Sequence, residues 1–226
     1  MAQPTPGDGI LMLRTEFHCH TCYSSDSLTG LEELLQTAQT KGIDRVIITD
    51  HNTIAGALKA KAIDPQRIII GEEIKTTQGE LLASFVQEEI PRGLTPAQTI
   101  DLLRQQDAFI SVSHPFDELR SGHWELSALL EIAPLVDAIE VFNARCMWPG
   151  FNRRAAAFAR AHNLPGTVGS DAHAAFELGI ASLLLPDFHD AASLRQAMAQ
   201  AVPKTAYSGP WVRFFSRFAA VKNLRK

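Results

Sequence analysis

The stretch RTEFHCH, residues 14–20, is a short β-rich run that ends on two histidines. Because alternate side chains of a β-strand point to the same face, His18 and His20 project together while Cys19 points to the other side. The stretch GTVGSDAH, residues 167–173, repeats this arrangement with Asp171 and His173. Two ligands on one face of a rigid strand favour a metal site, because little conformational entropy is lost on binding. The two runs therefore predict strands that carry metal ligands at their carboxyl ends.

Further β-rich runs alternate with helical patterns along the chain. This order indicates an α/β fold with a parallel sheet, and seven or eight strands without an obvious linker favour a closed barrel. The runs are RTEFHCH (14–20), RVIITDH (45–51), RIIIGEEI (67–74), ELLASFV (80–86), AFISVSHP (108–115), AIEVFN (138–143), GTVGSDAH (167–173) and ASLLLP (181–186). Helices are predicted from a capping sequence at 27–31 to 41–42, from Thr95 and Pro96 onward, at about 151–162 and at about 190–201.

Residues able to bind a metal ion or to move protons lie at the ends of these runs. In a βα barrel the carboxyl ends of the strands surround one opening, so residues far apart in the chain converge there. Imidazole together with carboxylate suits zinc, manganese or iron rather than magnesium or calcium alone. A single histidine after a strand is usually a surface or core residue, and His123, His162 and His189 are interpreted in this way. The remaining candidates are His18, His20, His51, Glu73, His114, Glu140, Asn143, Asp171 and His173.

The length of 226 residues is enough for one large α/β domain, or at most two small ones. With 46% hydrophobic and 20% charged residues, the chain is neither disordered nor a disulfide scaffold. Its apolar runs are too short to span a membrane, and its first ten residues do not have the pattern of a signal peptide. Its three cysteines are an odd number. We therefore expect a reduced, cytoplasmic protein.

Charge is distributed unevenly along the chain. No acidic residue follows Asp190, so residues 191–226 carry a charge of +7 and residues 1–190 a charge of −11. An acidic body argues against a broad nucleic-acid-binding surface, and no stable nucleic-acid complex is expected. The basic amphipathic tail is interpreted as a closing helix packed on the barrel, with self-association, contact with an anionic membrane or contact with nucleic-acid phosphates as alternatives. Its apolar stripe consists of Trp211, Phe214, Phe215, Phe218 and Val221.

Five motifs together resemble those of the PHP family, named for polymerase and histidinol phosphatase. The resemblance covers about residues 12–205 and implies a distorted seven-stranded βα barrel. We therefore expect one PHP barrel domain over residues 1–226, with its core at about 12–205 and a C-terminal segment at 206–226. The motifs are HCHTCYSSDS (18–27), TDHN (49–52), GEEI (71–74), SHP (113–115) and GSDAH (169–173).

The resemblance also implies a centre of two or three divalent metal ions, which are zinc, manganese or iron. Relatives that bind three ions tend to have a histidine where this chain has Asn143, and an amide oxygen is a weaker ligand than imidazole. The number of ions is therefore left open between two and three. The implied ligands are His18, His20 and Asp171 for one ion, Glu73 as the bridge to a second ion at His114 and Asn143, and Asp26, His51 and His173 for a third.

The chemistry that such a centre allows is hydrolysis of a phosphate ester. Two ions about 3.5–4 Å apart lower the pKa of a bridging water, and the resulting hydroxide attacks phosphorus in line. His51 or His173 would protonate the leaving group if the third site is empty. Arg145 is the candidate for binding the phosphate through paired hydrogen bonds, with a surface ion pair as the alternative. Lys75 is a weaker candidate for the same role.

The substrate is left open among a nucleotide, an oligonucleotide end and a small phosphomonoester. Glu73 and His114 are 41 positions apart, so no capping domain is inserted between them. One alternative is a phosphatase of the histidinol phosphate type. Another is a non-catalytic PHP module that binds a partner such as a polymerase, although a scaffold has no need of so many clustered ligands. The spacing of Cys19 and Cys22 also fits a redox or zinc motif, but no second pair follows it.

Overall fold

The computed structural model describes residues 11–209 and 211–212, which contain nine β-strands and six α-helices. The strands are β1 (Met12–Cys19), β2 (Arg45–Ile48), β3 (Ile68–Lys75), β4 (Glu80–Ser84), β5 (Phe109–Val112), β6 (Ala138–Asn143), β7 (Gly166–Gly169), β8 (Ala181–Pro186) and β9 (Val202–Thr205). The helices are α1 (Leu31–Thr40), α2 (Ala55–Ile63), α3 (Pro96–Gln105), α4 (Leu126–Ile132), α5 (Pro149–Ala161) and α6 (Ala191–Ala197). The four predicted helices correspond to α1, α3, α5 and α6, and the predicted α/β class is confirmed.

All nine strands belong to one sheet, which curls into a nearly closed barrel. Their order is β7-β6-β5-β4-β3-β2-β1-β8-β9. The barrel closes where the end of β1 meets the segment after β7. There the backbone N–H of His20 donates to the carbonyl of Ala172 at 2.8 Å, and the N–H of Ala172 donates to the carbonyl of His18 at 3.3 Å. The predicted distorted barrel is therefore confirmed, and its closure joins the two segments that carry HCH and DAH.

The prediction of a parallel sheet is wrong at β4 and β8, and β9 is a strand that the sequence analysis did not predict. β4 is antiparallel to both β3 and β5, and β8 is antiparallel to β1 and β9. β3 leads directly into β4 through a tight turn, in which Thr76 Oγ1 accepts hydrogen bonds from the N–H groups of Gln78 and Gly79. A parallel neighbour needs a crossover of a dozen or more residues, whereas so short a turn permits only an antiparallel hairpin. The start of β4, rather than its end, therefore lies beside the end of β3.

Of the two helix caps that the sequence predicts, the cap of α3 is confirmed, whereas α1 begins without a side-chain cap. Thr95 caps α3 through its side chain, as its position before Pro96 predicts. The residue before α1 is Gly30, which offers no side-chain cap. The nearby Ser27 Oγ instead donates hydrogen bonds to the carbonyl groups of His20 and His173, at 3.2 and 3.0 Å. The hydroxyl thus ties together the two segments that close the barrel.

The C-terminal end of the described chain folds back over the end of β6. After β9, the N–H of Ser208 donates to the carbonyl of Ala144 at 2.8 Å. Val212 is buried, whereas Trp211 is largely exposed. The rest of the predicted apolar stripe lies outside the described residues: Phe214, Phe215, Phe218 and Val221. Among the described residues, no helix is both long and apolar enough to cross a membrane.

Candidate metal centre

The predicted ligands on β1, β3, β5 and β7 converge at one end of the barrel. The bridge between β1 and the segment after β7 brings the HCH and DAH motifs side by side. Asp171 adopts a left-handed backbone conformation with a φ of 52°, which costs free energy in a residue that has a Cβ. Strain of this kind is typical of functional sites. The residues that are buried here are His18, His20, Glu73, His114, Asp171 and His173.

The carboxylate of Glu73 is in contact with four histidines. Its Oε2 lies 3.4 Å from Nε2 of His18, 3.4 Å from Nε2 of His20 and 2.9 Å from Nδ1 of His51. Its Oε1 lies 3.3 Å from Nε2 of His114. Burial raises the pKa of Glu73, but His18 and His51 outweigh it and hold that pKa well below its usual value. One oxygen of the ionised carboxylate therefore faces three imidazoles and the other faces a fourth, an arrangement that suits a bridging ligand.

Three buried atoms at this point fit a bound cation. Within the described chain, Nε2 of His18, Nε2 of His20 and Oδ1 of Asp171 have no hydrogen-bond partner. The two nitrogens lie 3.6 and 3.4 Å from that oxygen. Burying lone pairs without a partner is costly, and a cation among them removes the cost. Burial, together with His173 and His51, holds the pKa of His20 well below its usual value, which keeps the ring in the neutral form that binds metal.

A further group of possible metal ligands, Asp26, His51 and His173, lies nearer the solvent. Oδ2 of Asp26 is 3.1 Å from Nε2 of His173 and 3.5 Å from Nε2 of His51, and the Asp26 side chain is 30% exposed. The ring of His20 packs against both imidazoles, with centroid distances of 4.3 Å to His51 and 4.2 Å to His173. Although burial raises the pKa of Asp26, hydrogen bonds from both imidazoles lower it further than burial raises it. The structure thus brings together the three residues predicted for a third ion.

Glu140 and Asn143, at the end of β6, form a layer behind the ligands. The Nδ1–H of His18 donates to Oε1 of Glu140 at 2.9 Å. The Nδ2 of Asn143 donates to Oε2 of Glu140 at 3.2 Å and to Oδ2 of Asp171 at 3.1 Å, while its Oδ1 accepts from the N–H of Arg145 at 2.9 Å. Asn143 therefore lies beside the centre and donates hydrogen bonds to its carboxylates.

Arg145 is buried rather than on the surface. Its Nη1 lies 2.6 Å from Nδ1 of His173, and its Nη2 donates to the carbonyl of Val212 at 2.9 Å. Its Nε lies 3.3 Å from Oε1 of the buried Glu177. The structure thus brings Arg145 to the centre by way of His173. Lys75 is exposed and donates to Oγ of Ser121.

Two residues at the centre were missed in the sequence. Arg120 lies in the loop after β5, and its Nη1 is 2.5 Å from Oδ2 of Asp171, while its Nε is 3.0 Å from Oδ2 of Asp117. Nothing in the periodicity of this loop distinguishes Arg120. Glu80, at the start of β4, lies 3.7 Å from Nε2 of His114. The short turn at 76–79, between two β-rich runs, is the sequence signal from which the position of Glu80 beside the end of β3 could have been predicted.

Glu16 is a third missed residue, and it joins the segments that carry the ligands. Its Oε1 accepts from the N–H groups of Phe17, His18 and Ser170 at 3.1, 3.1 and 3.0 Å. Its Oε2 accepts from the N–H of Gly179 at 2.7 Å and from Oγ of Ser170. A fully buried carboxylate with five donors connects β1 to the end of β7 and so places His18 next to the loop of Asp171. Its position before the HCH motif gave no sign of this role.

Comparison with known proteins shows which family this chain resembles. The family model described as PHP domain matches residues 16–123, and the model described as PHP-associated matches residues 149–201. An uncharacterised protein of Methanocaldococcus jannaschii is 34% identical over 145 residues, which cover 58% of this chain and 82% of that protein. A second uncharacterised protein of the same organism is 33% identical over 170 residues, which cover 74% of this chain and 68% of that protein.

A solved structure has the same fold. It is a two-domain protein of Bacteroides vulgatus that is described as containing a predicted PHP-like metal-dependent phosphoesterase, and it aligns with a TM-score of 0.70 at 18% identity. The alignment covers 90% of this chain and 67% of the other. The residues matched by the two family models include the HCH, TDHN, GEEI, SHP and GSDAH segments that meet at the opening of the barrel. With its fold, its clustered ligands and its relatives in agreement, this chain belongs to the PHP family, whose fold is that of PHP-like metal-dependent phosphoesterases.

Proposed function

We propose that the protein is a metal-dependent phosphoesterase that hydrolyses a phosphate ester with metal-activated water. The observation that supports this most strongly is the position of Glu73 among four histidines, with its two oxygens facing different imidazole groups. A carboxylate in this position would hold two cations close together. Centres of two ions catalyse in-line displacement at phosphorus.

The residues present fit two or three divalent ions of zinc, manganese or iron. His18, His20, Glu73 and Asp171 would hold the first ion. The unpartnered atoms of His18, His20 and Asp171 lie close together, and Oε2 of Glu73 is 3.4 Å from both nitrogens. Glu73 would share a second ion with His114, and the imidazoles of His51 and His173 would hold a third with Asp26. When bound, the ions supply Lewis acidity and an activated water nucleophile.

The chain's own residues orient these groups and hold a proton near the opening. Glu140 fixes the ring of His18 so that its Nε2 faces the centre, as partners of metal-binding histidines do. Arg120 and Asn143 hold Oδ2 of Asp171 and leave its Oδ1 facing the imidazoles. If the third site is empty, His51 or His173, each beside Asp26, would donate a proton to the leaving oxygen.

The substrate that we propose is a nucleotide, an oligonucleotide end or a small phosphomonoester. The segment between Glu73 and His114 is occupied by β4 and α3, so no inserted domain covers the opening from this side. The acidic body supports a substrate that binds through its phosphate at the metal ions rather than along an extended nucleic acid. We expect the reaction to take place in the cytoplasm.

The test is a screen of phosphate monoesters, nucleotides and short oligonucleotides with added manganese, zinc or iron. The wild type should release phosphate or a nucleotide from at least one class, and activity should be lost on chelation and recovered when metal is added. Glu73→Gln should lower turnover by several orders of magnitude, because the lost charge increases the repulsion between the ions.

Glu72→Gln is the matched control for this substitution. The neighbouring Glu72 is equally buried, but its Oε2 accepts from the N–H of Ile90, away from the centre. This variant should keep the metal content and the turnover of the wild type. A Glu73→Gln protein with the turnover and metal content of its Glu72→Gln counterpart would show that the proposed bridge is misassigned.

A further inference from the structure

Glu80 approaches the second ion position from a strand that the sequence motifs do not include. The ligand atoms of Glu73, Glu80 and His114 all lie within 4.8 Å of one another, and all three residues are buried or partly buried. The Nε2 of His114 is 3.3 Å from Oε1 of Glu73 and 3.7 Å from Oε2 of Glu80. Ligand atoms that share one tetrahedral ion at 2.0–2.2 Å lie about 3.2–3.6 Å apart. The distance from His114 to Glu73 falls in this range and the distance from His114 to Glu80 exceeds it by about 0.1 Å, so the three side chains are close to the spacing of a ligand set.

The hairpin of β3 and β4 fixes the backbone of Glu80. The N–H of Glu80 donates to the carbonyl of Gly122 at 3.2 Å. Its own carbonyl accepts from the N–H of Ser113, next to His114, and from Nε1 of Trp124, both at 3.1 Å. These bonds hold the first residue of β4 against the loop that carries His114. A carboxylate with so constrained a backbone is well placed to act as a ligand, because little ordering remains to be done.

The sequence-based candidate for this ion, Asn143, is engaged elsewhere. Its amide nitrogen donates to Glu140 and Asp171, and its amide oxygen accepts from the N–H of Arg145 and from Nη2 of Arg120 at 3.4 Å. To bind a cation through its oxygen, Asn143 would have to give up at least one of the two bonds that this oxygen accepts. Glu80 needs no such rearrangement.

We propose that Glu80 is a ligand of the second metal ion, together with Glu73 and His114, and that Asn143 is not. This inference rests on the metal centre of the proposed function. Two carboxylates and one imidazole form a harder ligand set than the two imidazoles and two carboxylates of the first ion. The second site should therefore favour manganese or iron(II) over zinc more strongly than the first site does.

Gly122 provides a way to move the Glu80 carboxylate without changing any ligand. A Cβ at position 122 would overlap the carboxylate of Glu80, which is the free end of a flexible side chain. The backbone of Gly122 is not in the left-handed region, so alanine can adopt its conformation. Gly122→Ala should therefore fold normally while displacing the Glu80 carboxylate from the ion.

The experiment measures metal content by elemental analysis and manganese affinity by titration, on the wild type, Glu80→Gln, Gly122→Ala and Asn143→Ala. The exposed Glu88→Gln and Gly30→Ala, where a Cβ meets open space, are the matched controls. Glu80→Gln and Gly122→Ala should each lose one ion per chain, or bind it at least about 10-fold more weakly, while the tightest ion remains. Asn143→Ala and both controls should keep the second ion.

Two results would overturn the inference. One is wild-type stoichiometry and affinity in both Glu80→Gln and Gly122→Ala. The other is loss of the second ion in Asn143→Ala alone. A wild type that binds no ion after reconstitution would instead contradict the proposed function itself, so the two failures are distinguishable. Circular dichroism and the melting temperature identify a variant that has not folded. If Glu80→Gln does not fold, the metal content of Gly122→Ala decides whether Glu80 is a ligand.

Discussion

The Nδ1–H of His18 donates a hydrogen bond to Oε1 of Glu140 at 2.9 Å, and Oε2 of Glu140 accepts from the backbone N–H of His114 at 2.8 Å. One carboxylate at the end of β6 thus orients a side chain on β1 and the backbone after β5. The metal-facing Nε2 atoms of the two histidines belong to different ion sites in our proposal. Glu140 therefore positions one histidine of each of the two proposed ion sites.

Removing this carboxylate should weaken metal binding without removing a ligand. We expect Glu140→Ala to lower the affinity for the first ion by about 10–100-fold, because the ring of His18 loses the partner that fixes its orientation and its tautomer. Metal titration measures the effect, and Glu131→Gln, on the exposed side of α4, is the control. Equal affinities in Glu140→Ala and the control would show that packing alone orients His18.

Glu72 should make the stability of the fold depend on pH. Burial raises the pKa of Glu72 to about 8, although the N–H of Ile90 lowers it in part. Because the folded state binds the proton more tightly than the unfolded state, this contribution is complete below the unfolded pKa of about 4.5 and is lost as the pH rises to about 8. The free energy of unfolding of the wild type should therefore fall across this window relative to that of Glu72→Gln.

The difference between the two proteins isolates Glu72 from the other titrating groups. Its slope should reach at most about 1.4 kcal/mol per pH unit. Denaturant unfolding between about pH 3.5 and pH 9, roughly one unit beyond each end of the window, measures it. Parallel curves for the wild type and Glu72→Gln would mean that Glu72 titrates alike in the folded and unfolded states.

Glu16 should contribute to stability through the bonds that join β1 to the end of β7. In Glu16→Gln the side-chain amide places N–H groups against backbone donors, so buried donors lose their acceptor. We expect a loss of at least about 2 kcal/mol in the free energy of unfolding, since each unsatisfied buried group costs about 1–3 kcal/mol. Urea unfolding checks this, with the exposed Glu32→Gln as the control. A loss of unfolding free energy no larger than that of Glu32→Gln would show that Glu16 does not stabilise the closure of the barrel.

Arg145 should affect both turnover and stability. If it binds the phosphate, Arg145→Ala should lower kcat/KM by about 10–200-fold with unchanged metal content, and Arg145→Lys should recover only part of this. The buried Glu177 also loses its partner in Arg145→Ala, which should cost about 3–5 kcal/mol of stability. Kinetics, elemental analysis and thermal unfolding of both variants separate the two roles. Wild-type kinetics in a destabilised Arg145→Ala protein would assign the arginine to the fold alone.

Local signals in the sequence were sufficient for much of the fold and for naming most of the residues that meet at the opening of the barrel. The alternation in RTEFHCH and GTVGSDAH depends on the two-residue period of a strand, and this period alone puts His18 with His20 on one face. Thr95 followed by Pro96 predicts the start of α3, because both residues act within one helical turn. Glu73 and His114 were identified by the ends of their own strands and by the resemblance to the PHP family.

Only the tertiary structure decided the parts that depend on which segments meet. The direction of β4 follows from the hairpin at Thr76–Gly79, and this direction brings Glu80 to His114 instead of carrying it to the far end of the barrel. The burial of Arg145 depends on the return of the chain at Ser208 and Val212, and the five donors of Glu16 come from three separate segments. A strand or helix pattern reports the conformation of consecutive residues. Contacts between distant segments arise from long-range packing and backbone pairing, which no local period records.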